Sequence, residues 1–154
     1  MPIKLDAIDR RILRALQRDG RLQNQELAKQ VGLSASPCLR RVRLLEEAGV
    51  IERYVALVDP AKVALGLTLF VRVWLKRQDQ DTTDEFVEAV RQLPEVVECH
   101  VMAGDCDLLL RVVAADLEAY RRFQIKHLTS LSVVQNVKTE VPMEKIKLTT
   151  ELPV

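Results

Sequence analysis

The chain has 154 residues, enough for one large domain or two small ones. Hydrophobic residues make up 48% and charged residues 29%, and no run of about 18 or more apolar residues reads as a membrane-spanning helix. The net charge of +1 is uneven: residues 1–60 carry 11 Lys+Arg against 8 Asp+Glu, and residues 61–154 carry 12 against 14, a basic front joined to a slightly acidic back.

The N-terminal MPIKLDAIDRR lacks the apolar core of a signal peptide, so the expected location is cytoplasmic. Cys38, Cys99 and Cys106 are odd in number and lack CxxC spacing. That argues against a disulfide framework and a zinc knuckle, and suits a reducing compartment.

In chain order, Leu5, Ile8, Ile12, Ala15 and Leu16 share one helical face, with Asp6 placed to cap it, Asp9 in the first turn and Gly20 at its end. A short second helix runs over 24–31, with Asn24 as its cap and Leu27, Ala28 and Val31 inward. The small Ala28, four residues before Gly32, suits a helix crossed closely by another and followed by a tight turn. This is a helix-turn-helix arrangement.

The next stretch, GLSASPCLRRVRLLEEAG, spans residues 32–49. Ser34 or Ser36 can cap a third helix, and Pro37 is tolerated in a first turn, where amides have no intrahelical partner. Cys38, Val42 and Leu45 form a buried seam. At about 100° per residue, Ser36, Arg40, Arg43 and Glu47 lie opposite it and Arg41 flanks it. On an arbitrary helix these arginines would be a solvated face paired with Glu46 and Glu47. After a helix-turn-helix, the exposed face is the one that enters a DNA major groove, and arginine suits phosphates and guanine edges. VIERYVALVDP then alternates like a strand that forms a wing, with Arg53 near the DNA backbone, and Pro60 closes the segment.

Over 67–76 Leu67, Leu69, Val71, Val73 and Leu75 share one strand face. Thr82 and Glu85 have capping-box spacing before a stripe of Phe86, Val90 and Leu93, ended by Pro94. VVECHVMA and LLLRVVA read as strands around the turn GDCD. Asp116 can cap a helix with Leu117, Tyr120, Phe123 and Leu131 inward, and residues 133–147 give a last strand interrupted at Pro142. The order strand, helix, strand, strand, helix, strand is the ferredoxin-like split βαβ pattern. Such a sheet has helices on one face, and pairing two sheets face to face covers the other, so a dimer is expected.

Other chemistries are weaker. His100, Asp105, Cys106 and Asp107 cluster in sequence and could ligate a metal, but neighbours in a hairpin turn point different ways, and Asp and Gly serve the turn itself. A redox role for Cys38 or Cys106 conflicts with a buried seam and with flanking aspartates. No Ser/His/Asp set, phosphate loop or dinucleotide fingerprint is present, so no enzyme and no cofactor is expected.

The front motif LDAIDRRILRALQRDGRLQNQELAKQVGLSASPCLRRVRLLEEAGVI, together with ECHVMAGDCDLLLRV, AYRRF…LTSL and VPMEKIKLTTELP, resembles the Lrp/AsnC (feast/famine) family over essentially the whole chain. The tail is more similar to the leucine-responsive branch than to the asparagine-specific one. The resemblance implies an α+β protein: a winged helix-turn-helix over 1–60 with a hinge strand, joined to a ferredoxin-like βαββαβ (RAM) domain over 61–154 for effector binding and oligomerisation. It implies a transcriptional regulator that binds double-stranded DNA, takes a free amino acid as effector between dimers, and assembles from a homodimer to a tetramer or octamer. A purely architectural DNA-binding protein, or a metabolite-binding module without gene control, is the alternative.

Carried over residue by residue, the recognition helix maps to Ser34 through Glu47, with Ser34, Ser36, Pro37, Arg40, Arg41 and Arg43 as DNA contacts. The effector site maps to His100, Met102, Ala103, Gly104, Asp105 and Asp107, with Thr139 from the last strand. Asp105 or Asp107 would meet the ammonium group, backbone amides around Gly104 the carboxylate, and Met102 and Leu108 the side chain. The chain departs from the family pattern at Leu108, where an aromatic is usual, and at Ser132-Val133, where Pro-Gly is usual.

Overall fold

The computed structural model describes residues 4–154. They fall into two units, one of residues up to Leu57 together with Lys147–Val154, the other of Val58–Ile146. The tail beyond Lys147, grouped by sequence with the second segment, therefore packs with the first.

Helix α1 spans Ala7–Arg18. Asp6 caps it by accepting from the amides of Ile8 and Asp9, both at 2.8 Å, and Asp9 Oδ2 accepts from the Asp6 amide at 3.1 Å. This reciprocal pair satisfies donors that no helix can satisfy internally. Helix α2 spans Asn24–Val31 and helix α3 spans Ala35–Glu47. Asn24 is not the cap of α2; Gln23 holds that position without a side-chain bond. The Asn24 amide instead donates to Ala35 O at 2.8 Å, linking the starts of α2 and α3. Gly32 turns the chain between them at φ 76°, a left-handed conformation where a Cβ would be strained.

Ile12, Leu13, Leu27, Ala28, Val31, Cys38 and Leu45 form the core of this unit. Fully burying a Leu or Ile side chain contributes about 1.5–3 kcal/mol, so this small set supplies most of the drive for packing three short helices. The expected wing strand is absent. Residues 52–59 run irregularly and extended, without a ladder, because no second strand lies within the unit among the described residues. Val55, Leu57 and Val58 on this run are 64%, 75% and 62% exposed.

The second unit opens with a short turn of helix at Pro60–Val63. It continues with β1 (Leu67–Leu75), α4 (Gln80–Arg91), β2 (Val96–Val101), β3 (Leu108–Ala114), α5 (Leu117–Phe123) and β4 (Val134–Glu140). The sheet is antiparallel with order β2-β3-β1-β4, the split βαβ topology. The cap of α4 is Asp79, three residues earlier than expected, accepting from the Thr82 amide at 2.8 Å. Asp116 caps α5 through Ala119 N at 2.7 Å. Leu117, expected to point inward, is 61% exposed because it sits at the open start of its helix. After Phe123 the helix widens into one π turn, Gln124–Leu128. Strand β4 stops at Glu140, two residues short of Pro142, which lacks the N–H a ladder needs.

Strand register divides the sheet into two faces. Leu69, Val71 and Val73 pair with Val112, Leu110 and Leu108, and all six are fully buried under the helices. The opposite face carries Thr68, Phe70, Arg72 and Trp74 of β1, flanked by Leu109 and Arg111 of β3 and by Asn136, Lys138 and Glu140 of β4. Among the described residues, the buried core under the helices lies on the first face, and the second carries the half-buried and polar residues just named.

Candidate functional site

Helix α3 presents two kinds of arginine. Arg41, on the flank, places Nη1 2.8 Å from Asp6 Oδ2 and 2.7 Å from Asp9 Oδ1. Its guanidinium is thus engaged by the capping pair of α1 and braces α3 against it. The Asp9 amide, and after it Arg41, hold the Asp6 carboxyl below its ordinary value. Arg40 and Arg43 lie on the exposed face opposite Cys38 and Leu45 and have no ion-pair partner among the described residues. They are not paired with Glu46 or Glu47: Glu46 accepts from the Tyr54 hydroxyl at 2.9 Å. Burial, then the Glu46 bond, pushes the Tyr54 phenol up to about 12.

Ser34 stands at the N-cap position of α3 without a side-chain bond, Ser36 is exposed in the first turn, and Pro37 is half-buried behind it. The leading edge of α3 therefore offers two hydroxyls and two unengaged guanidinium groups in successive turns. That set can contact phosphates and base edges.

In the second unit the β2–β3 turn folds against the end of β1. Asp107 is engaged there: Oδ2 accepts from Leu75 N at 2.7 Å, Oδ1 from Gln78 Nε2 at 3.0 Å, and its amide donates to Val73 O at 3.0 Å. Asp107 holds the turn to the sheet, with one bond accepted at each carboxylate oxygen. Asp105 differs. Its carboxylate is 79% exposed and has one long contact, 3.6 Å to Arg72 Nη1, which also lies 3.4 Å (through Nε) from Glu140. Its carbonyl accepts from Trp74 Nε1 at 2.7 Å. Ala103 and Gly104 are exposed beside it, and Met102 is 39% exposed. Leu108 points into the core and is fully buried, so it cannot line an open pocket as expected.

His100 and Thr139 are not brought together within one chain. His100 lies on edge strand β2, on the second face, beside Glu98 at 3.5 Å. Arg111, and more weakly His100, hold the Glu98 carboxyl below its ordinary value. Thr139 lies on the opposite edge strand β4, on the helix side, with its hydroxyl bonded to the buried Tyr120. Three strand spacings, about 14 Å, and the sheet itself separate them. A site using both would draw one from a second copy.

No group of three His, Cys, Asp or Glu side chains converges on a metal position among the described residues. In the GDCD turn, Cys106 is buried, Asp107 is engaged and Asp105 faces solvent. Burial pushes the thiol of Cys38 up. Sequence reasoning missed the anchoring role of Asp107, the bond from Trp74, the sole tryptophan, to the turn, and the contact of the tail with α1. None of these leaves a local pattern, because each partner is distant in the chain.

Residues 68–152 match the family model of the Lrp/AsnC ligand binding domain, and residues 5–52 match that of a winged helix-turn-helix DNA-binding domain. The leucine-responsive regulatory protein of Escherichia coli K12 is 45% identical over 148 residues, 96% of this chain and 90% of that one. A transcriptional regulator from Neisseria meningitidis, solved as a complex with L-Met, aligns with a TM-score of 0.94 at 42% identity over 97% of each chain. An AsnC family regulator from Agrobacterium tumefaciens aligns with a TM-score of 0.91 at 46% identity, again over 97% of each.

Proposed function

The chain belongs to the Lrp/AsnC family of transcriptional regulators, a DNA-binding winged helix-turn-helix joined to a ligand-binding domain, and from that premise we propose that it is an amino-acid-gated operator reader acting as a dimer or a multiple of one. Helix α3 enters the major groove. Ser34, Ser36, Pro37, Arg40 and Arg43 face the DNA, while Arg41 braces the helix from behind. Two copies place their α3 helices in successive major grooves, about 34–36 Å apart, on a pseudo-palindromic site. The observation that carries this reading is the unengaged pair Arg40 and Arg43 on the outer face of α3.

The second sheet face, with Phe70, Trp74 and Leu109 on it, supports pairing through the second unit, and the dimers assemble further into tetramers or octamers. The effector is a free amino acid with an apolar side chain, as the leucine-responsive relatives and the L-Met complex favour. Asp105 takes its ammonium group, amides at Ala103 and Gly104 its carboxylate, and Met102 its side chain. His100 and Thr139 contribute from different copies, which makes binding sensitive to assembly. The effector gates DNA binding because it has different affinity for the two assemblies. The protein works in the cytoplasm and needs no cofactor.

The test is fluorescence anisotropy of the purified protein on its own upstream DNA, at two salt concentrations, with L-Leu, L-Met and the other amino acids in turn. Sequence-dependent binding shifted by one of them supports the reading. Binding indifferent to all of them removes the gating and leaves the second unit as an assembly module. Equal affinity for random DNA overturns operator reading in favour of an architectural role.

A further inference from the structure

The last residues of the chain lie along α1, and every main-chain amide from 151 to 154 is accounted for. Glu151 N donates to Thr149 Oγ1 at 3.1 Å, Leu152 N to Gln17 Oε1 at 2.6 Å and Val154 N to Leu152 O at 2.9 Å, while Pro153 has no N–H to satisfy. Gln17 completes the exchange, with Nε2 donating to Leu152 O at 3.1 Å. One primary amide thus engages both main-chain groups of one residue, as a neighbouring strand would. Arg14 Nε donates to Val154 O at 2.7 Å, and Arg18 Nε lies 3.3 Å from Glu151 Oε1.

Arg14, Gln17 and Arg18 are one helical stripe, spaced i, i+3, i+4. Val154 packs on the apolar core of the first unit. Leu152, by contrast, is 69% exposed, so at that residue the segment is held by its backbone. The Arg18–Glu151 pair is exposed and contributes little alone. The specificity lies in the Gln17 exchange.

We propose that this stripe is a docking site for the chain's own segment 151–154, and that the docked segment is a second tether on the DNA-binding unit. The chain leaves that unit after Leu57 and re-enters it at Lys147. With the segment docked, the unit is held at two points rather than swinging on one linker. A doubly tethered reading head gives up less orientational freedom when two copies engage one operator, so docking strengthens DNA binding.

The test uses the full chain and three variants: Gln17→Ala, Arg18→Glu, and Arg18→Glu combined with Glu151→Arg. Amide exchange at Leu152 and Val154 reads docking, and fluorescence anisotropy on the upstream DNA reads affinity. Leu152 should exchange about tenfold or more slowly than in a free chain, and Gln17→Ala should remove that protection. Operator affinity should fall about three- to tenfold in Gln17→Ala, and the smaller loss in Arg18→Glu should return in the charge-swapped double. Free-chain exchange at Leu152 in the unaltered protein overturns the docking. Lost protection with unchanged affinity overturns the tether. Failure of the swap to restore affinity means that Arg18 meets DNA phosphates directly, and overturns its place in the dock.

Discussion

Arg41 of α3 and Asp9 of α1 stand 2.7 Å apart, and the Asp9 side chain is only 15% exposed. The contact makes the capping pair of the first helix a brace for the recognition helix. It also divides the α3 arginines into one that shapes the unit and two that face outward. Arg41→Ala should therefore lower the melting temperature of the DNA-binding unit, by about 4–8 °C, the scale of a partly buried charge-assisted contact in a small domain. Differential scanning calorimetry reads it. An unchanged transition returns Arg41 to the list of DNA contacts.

Arg40→Ala and Arg43→Ala should do the reverse. Neither side chain has an ion-pair partner among the described residues, so the thermal transition should stay put. Operator affinity should fall by about 1–3 kcal/mol for a residue that reads a base. A residue that meets only phosphate should weaken binding to all sequences and reduce the salt slope by about one. Anisotropy on operator and random DNA at several salt concentrations separates these cases.

The capping pair also sets an acid limit. The Asp9 amide and Arg41 favour the charged form of Asp6 in the folded state, so its folded pKa lies below the ordinary 3.8. Its contribution to stability is full above that value and is lost as pH falls from there through the lower folded value. Acid unfolding of the first unit should begin below about pH 4, and Asp6→Asn should flatten that limb. A circular-dichroism titration showing the same limb in the variant assigns it to other carboxylates.

How much of this was legible in the sequence depended on how local each cause is. Leu69, Val71 and Val73 alternate, so β1 and its buried face could be read directly, and the βαββαβ order followed. The turn at Gly32 and the seam Cys38–Leu45 are equally local. The anchoring bonds of Asp107 could not be read because its partners, Leu75 and Gln78, are about thirty residues away in sequence. A carboxylate that anchors a turn and one that awaits a ligand have the same letter. The extended run 52–59 alternates like a strand, but a strand needs a neighbour, and alternation carries no information about where the neighbour is.

Asp107→Ala and Asp105→Asn should separate the anchor from the ligand contact. Removing the Asp107 carboxylate leaves the Leu75 amide without its acceptor, at a cost of about 1–3 kcal/mol, and frees the turn. That variant should melt earlier and lose the effector response as a consequence. Asp105→Asn keeps the turn, since the bond from Trp74 goes to the carbonyl of Asp105 and not to its side chain. It should melt normally while its response to the amino acid falls at least about tenfold, the scale of one lost charge-assisted contact. Calorimetric titration with L-Leu and L-Met beside a thermal scan reads both. Full effector affinity in Asp105→Asn would remove Asp105 from the site.

Gly32→Ala isolates a backbone effect. Gly32 sits at φ 76°, and a Cβ built there meets nothing within 4 Å, so the substitution adds left-handed strain without a clash. The expected cost is about 1–2 kcal/mol, confined to the first unit because the turn lies between α2 and α3. Gly104 is also open to a Cβ but has no positive φ, so Gly104→Ala should leave stability unchanged and act only on what binds at the turn. Chemical denaturation of the two variants gives the comparison. Equal destabilisation by both would show that the β2–β3 turn is as constrained as the helix-turn-helix corner, and would argue against an adaptable effector contact there.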